Sequence, residues 1–221
     1  MENIWDNISQ SWWLKESART PDELSALLDR VGRRLEPGTF ERFMLPNNWE
    51  KVKKEITETG GAVPLYKDQR GPVTFAMSLY STENLIFLIM DNPDAAKRLS
   101  GLIGKAMLKK IKLHLKEAGN NENNFPHGFD FTDDNCSLLN YDMYMFFAHP
   151  ILDAVFYDQS PDSADGRYQH SDSVMEHILP ALSKLQLTGT NFGSNIMVDT
   201  IRSYLPRAVI RGELAPYIQQ K

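Results

Sequence analysis

The chain has 221 residues, 42% hydrophobic and 24% charged, with a single cysteine and a formal net charge of −5. That balance supports a globular core and excludes a disulfide scaffold, because Cys136 has no partner in the chain. The acidic charge argues against a nucleic-acid binder, which presents a basic face. The most apolar stretch, Leu85–Met90, is far shorter than the ~20 residues of a membrane span. The start, Met1-Glu2-Asn3-Ile4-Trp5, lacks the basic flank and apolar run of a signal peptide, so a cytoplasmic setting is the expectation.

Thr20-Pro21-Asp22-Glu23 predicts a helix start: a capping hydroxyl, Pro at the first position and acids in the first turn. Leu24, Leu27, Leu28, Val31 and Leu35 then give one apolar face, and Pro37-Gly38 ends it. A short helix is expected from Trp49 to about Thr59, closed by Gly60-Gly61. Residues 1–60 thus read as a helical segment packed on residues 61–221. From there, apolar segments at Ala62–Tyr66, Val73–Leu79, Gly128–Asp133, Tyr168–Ser171, Thr188–Phe192 and Ala208–Leu214 read as strands. Helical patterns intervene at Pro93–Ala118, Tyr141–Phe156, Ser173–Leu185 and Val198–Tyr204.

Strands separated by amphipathic helices imply an α/β protein with a parallel sheet, doubly wound or a (β/α)8 barrel. No Gly-x-Gly-x-x-Gly turn opens a helix, which removes the main support for a dinucleotide-binding sheet. Polar residues gather instead at strand ends: Asp133-Asp134-Asn135, His170-Ser171-Asp172, Asn191 and Glu213. Strand C-terminal ends are where a barrel builds its active site.

Arg70-Gly71-Pro72-Val73-Thr74-Phe75, followed by Glu83-Asn84-Leu85, is similar to the Gly-x-Pro-x-Thr segment of the uroporphyrinogen decarboxylase superfamily. Gly128–Asn135, Tyr168–Asp172, Gly189–Gly193 and Ile210–Pro216 follow in the order of successive barrel strands. The resemblance implies a TIM-barrel-like fold, here incomplete, with about six βα units where a full barrel has eight. It further implies decarboxylation of a tetrapyrrole-type or small organic acid, or methyl transfer from a methyl donor. The alternative it leaves is a non-catalytic barrel that binds a corrinoid-carrying or other protein partner. An open barrel edge leads to the expectation of a homo-oligomer or a partner subunit covering it.

The superfamily's methyltransferases hold zinc with His-x-Cys, and here Asp172 stands where that cysteine would be. No cofactor is therefore expected; if a metal such as zinc binds, His170 and Asp172 are its candidate ligands. Tyr168, His170 and Asp172 alternate and so share one strand face, with His170 and Asp172 ~6–7 Å apart. The candidate catalytic residues are His170 and Asp172 together with Asp133 and Asp134, of which a continuing strand turns only one inward. Asp-Asp-Asn is equally a turn signal, and Asp172 equally a helix cap. Arg70 offers a planar donor fork for an anion, and Tyr168, Asn191 and Glu213 complete the candidate substrate contacts.

Overall fold

The computed structural model describes residues 17–121 and 124–212, with the backbone course of β1 (Asn3–Trp5) and β2 (Trp12–Leu14). These two strands pair antiparallel, so the expectation of an all-helical first 60 residues is corrected: a short hairpin precedes the helices. Helix α1 (Pro21–Arg34) starts where the capping signal places it, with Thr20 Oγ1 accepting from Glu23 N at 3.2 Å, and it buries Leu24 and Leu28. Two short helices follow, α2 (Thr39–Met44) and α3 (Trp49–Glu58). Glu117 anchors α3, accepting from Trp49 Nε1 at 2.6 Å and Lys53 Nζ at 2.8 Å.

Five strands form one sheet: β3 (Gln69–Arg70), β4 (Phe129–Thr132), β5 (Arg167–His170), β6 (Gly189–Asn191) and β7 (Val209–Ile210). Their spatial order is their chain order, and every pair is parallel. The crossovers are α4 (Pro72–Tyr80), α5 (Thr82–Asp91) and α6 (Pro93–Glu117) between β3 and β4, then α7 (Tyr141–Phe147) and α8 (His149–Gln159), α9 (Leu179–Lys184), and α10 (Val198–Tyr204). Consecutive parallel strands with helical crossovers are consistent with part of a TIM-barrel-like fold.

Alternation divides the sheet into two unlike faces. Phe129, Phe131, Gln169 and Thr190 are buried on the helix-covered face, where Phe129 and Phe131 meet Phe156 of α8 with ring centroids 6.0 Å apart in both cases. On the other face Asp130 and Thr132 are exposed, while Tyr168, His170 and Asn191 are half-buried. Among the described residues the helices clad one face only, which leaves the second face open to ligands or to another chain.

Several expected strands are corrected. Val73–Leu79 is helical, within α4, because Pro72 sits at its first turn and the Asp133 carboxylate, distant in sequence, caps the N–H groups of Val73 and Thr74. Ala62–Tyr66 is not a strand; the first strand of the parallel sheet is Gln69–Arg70. Tyr141–Phe156 divides at Ala148 into α7 and α8, with Pro150 in the first turn of α8. Ser173–Leu185 is helical only from Glu176, first as a 3-10 turn. No single helix among the described residues is long and apolar enough to cross a membrane. The apolar pair α4 and α5 bends by 102° at Ser81 and buries Val73, Ala76, Leu85 and Leu88 in the core.

Candidate functional site

Register brings the strand ends together. Arg70 pairs with Thr132, Thr132 with His170, and His170 with Asn191, so these four lie in one row across four strands, all at the C-terminal end. Continuing the β6–β7 register puts Arg211 next in the row. One step back on the same face lie Asp130, Tyr168, Gly189 and Val209. Between β3 and β5 the face hollows into a cleft of about 490 Å³ lined by Arg70, Thr74, Asp130, Thr132, Asp134 and Tyr168.

His170 is held from one side. Its Nδ1 lies 2.8 Å from Asn191 Oδ1, and Asn191 Nδ2 donates to the Arg211 carbonyl at 2.8 Å. The carbonyl can only accept, so the amide turns its oxygen to the imidazole and Nδ1 must carry the proton. Nε2 is left to face the rim, with Asp172 Oδ2 at 3.7 Å. Gly212 permits this arrangement: its φ is +82°, and a Cβ there would lie 2.4 Å from Asn191 Nδ2. The guanidinium of Arg211 rests over the Tyr168 ring, 5.2 Å from its centroid.

The two neighbouring aspartates part company. Asp133 shares the phase of Phe129 and Phe131 and goes beneath the sheet, fully buried, accepting from Val73 N (3.2 Å), Thr74 N (2.8 Å) and Thr74 Oγ1 (2.7 Å). Burial pushes its carboxyl up to about 6, against the pull of those bonds. Asp134 stays at the cleft, where its Oδ1 accepts from Asp172 N at 2.9 Å and ties the ends of β4 and β5 together. Arg70 is exposed and donates Nη1 to Ser78 Oγ at 3.2 Å. Partial desolvation in the cleft and the nearby Asp68 raise the Asp130 carboxyl, although the residue as a whole is exposed; Arg211 and Lys67 offset this in part. Glu213 lies outside the described residues.

The structure therefore brings Arg70, Asp134, Tyr168, His170, Asp172 and Asn191 to one open rim and places Asp133 behind it. Asp130, Thr132 and Arg211 share that face and were not singled out from sequence. A signal was present: Asp130 and Thr132 alternate with buried Phe129 and Phe131, and parallel alignment of strand ends puts Arg211 beside Asn191. Cys136 is buried, its Sγ 2.7 Å from the Asp133 carbonyl, and burial pushes its thiol well up, so it is not poised as a nucleophile.

The donor set does not fit a catalytic zinc, for which three protein ligands are the rule. His170 and Asp172 supply two, and among the described residues no third His, Cys, Asp or Glu converges with them.

No family model matches the chain, and no curated protein matches it. Among solved structures it is similar to a methyltransferase from Methanosarcina mazei, with a TM-score of 0.52 and 13% sequence identity. The match covers 90% of this chain and 54% of the other, so the chain spans about half the length of that structure. At this identity the likeness is one of fold.

Proposed function

We propose that the open face of the sheet is the substrate site of a barrel-type enzyme that transfers a methyl group. His170 acts as proton acceptor: Nε2 takes the proton of the nucleophile as its heteroatom attacks the methyl carbon, and the leaving group departs with the electron pair of the broken bond. The observation that carries the reading is the relay from the Arg211 carbonyl through Asn191 to His170, which occupies Nδ1 and turns Nε2 to the rim beside Asp172. The fold likeness to a methyltransferase adds support. Arg70 and Arg211, at opposite ends of the row, hold the anionic parts of the substrate, and Tyr168 and Asp134 line the space between.

The two guanidinium groups on this one face also favour a second reading within the same superfamily resemblance, decarboxylation of an organic acid. One assay separates the two. The purified chain is given methylated amine, thioether and methylcorrinoid donors with a thiol acceptor, and separately a panel of small organic acids. Methylation of the acceptor, lost in His170→Ala with the circular dichroism unchanged, supports methyl transfer. Carbon dioxide release without methylation selects the second reading. Neither activity overturns both and leaves a binding protein.

The sheet has two ends, and we propose that a second copy of the chain covers the one at β7. Val209 is 58% exposed there, and Met197, Val198 and Tyr204, in and beside the crossover helix leading into β7, are exposed as well.

A further inference from the structure

A second cavity, of about 830 Å³, opens on the helix side of β3 between α1, α2, α4 and α6. Its walls are apolar, with Leu27 and Phe40 on one side and Leu102, Ala106 and Met107 on the other. Its polar equipment is of a single sign. Arg30, Arg34, Arg70 and Lys110 line it, and no carboxylate does among the described residues. In a chain with 29 acidic residues and 24 basic ones, a cavity with four cations and no described anion has a charge preference its composition does not explain.

Among the described residues no carboxylate pairs with Arg30, Arg34 or Lys110. The Arg34 guanidinium carbon lies over the Phe43 ring, 4.2 Å from its centroid. Lys110, on α6, is half-buried and has no ion pair or hydrogen bond among the described residues; Asp68 acts on it only from a distance. An ammonium group drawn into an apolar wall without a counter-charge costs stability unless a ligand supplies one. Gln69 holds the floor in place, donating Nε2 to the Met107 carbonyl at 3.2 Å.

We infer that this cavity binds an amphipathic organic anion, a carboxylate with an extended apolar body, its head at Lys110 and its tail along the apolar walls of α1 and α6. The volume falls within the range of about 300–1,000 Å³ typical of small-molecule sites. The cavity shares Arg70 with the polar sheet face, but the inference rests on Lys110 and the apolar walls and does not depend on the reading of that face.

Dodecanoate below its micellar concentration is the probe, titrated calorimetrically into the full chain, with dodecyltrimethylammonium as the charge-reversed control. Dodecanoate is expected to bind and the cation not. Lys110→Met weakens dodecanoate about 10-fold, the scale of one lost charge-assisted bond, and Lys110→Arg restores it. Ala106→Trp fills the cavity and abolishes binding, with the melting temperature of each variant confirming that it folds. Equal binding of the two amphiphiles, no binding of dodecanoate, or full affinity in Lys110→Met overturns the inference.

Discussion

His170 and Asn191, opposite each other on neighbouring strands, are joined by a 2.8 Å bond that decides which imidazole nitrogen faces the rim. Asn191 has no choice of orientation, because its amide nitrogen is bound to the Arg211 carbonyl. Three strands thus cooperate to engage Nδ1, and the result is an Nε2 aimed at the rim and at Asp172.

Asn191→Leu removes that restraint with little change in volume. Nitrogen NMR of the His170 ring is expected to show the Nδ1–H form in the parent and a mixture of tautomers in the variant. If His170 is the proton acceptor proposed above, loss of the residue that orients its ring should lower the proposed methyl-transfer turnover by about 10–100-fold. An unchanged nitrogen spectrum would show that Asn191 does not set the tautomer.

Gly71 is a place where no side chain fits. A Cβ there would lie 2.2 Å from Asp133 Cβ, so Gly71→Ala forces the Asp133 side chain away from the α4 N-terminus it caps. Overpacking together with loss of that cap is expected to destabilise the chain by about 2–4 kcal/mol. Urea unfolding measures it, and a loss below about 1 kcal/mol would mean the turn adapts.

The same packing explains what sequence could and could not disclose. Helices α1 and α6 are legible because their signals are local: Thr20 and Asn92 cap them and a proline follows each cap. Strands β4 to β6 are legible from short apolar runs ending in polar residues. Val73–Leu79 is not, because its β-branched and aromatic residues read as strand while the group that caps it as a helix, Asp133, arrives from another strand. Adjacency sends Asp133 and Asp134 to opposite faces; which one goes under the sheet follows only from the phase of Phe129 and Phe131. The His170–Asn191–Arg211 contact needs the register of three strands, which no local pattern encodes.

Asp133 makes stability depend on pH with a definite sign. Its carboxyl stands at about 6 in the folded chain against an ordinary value of 3.8. Folded protein therefore keeps a proton that unfolded chain releases between those values. The residue's contribution is full at low pH and is lost as pH rises through about 6. The loss is on the order of 2–3 kcal/mol. Asp133→Asn cannot titrate, so the unfolding free energy of the parent minus that of the variant should fall between about pH 4 and pH 7. A flat difference would show that the bonds from Val73 and Thr74 keep the carboxylate ionised throughout.

Assembly follows from the β7 edge. Val209 N and Arg211 N donate to the Thr188 and Thr190 carbonyls of the β6 segment, so alternation turns the N–H and C=O of Ile210 to the other side. Among the described residues nothing pairs with that side. An edge with unsatisfied backbone groups beside exposed Val209 is a template for strand addition, and a two-fold axis lets the same strand of a second copy serve as its own partner. A dimer is therefore expected by light scattering at micromolar concentration. Val209→Lys places a charge on the edge strand, a device natural sheets use against such pairing, and should return the chain to monomer without loss of helicity. A parent chain that is already a stable monomer would show that the edge is not an interface between copies, and a dimer that survives Val209→Lys would place the contact on another surface.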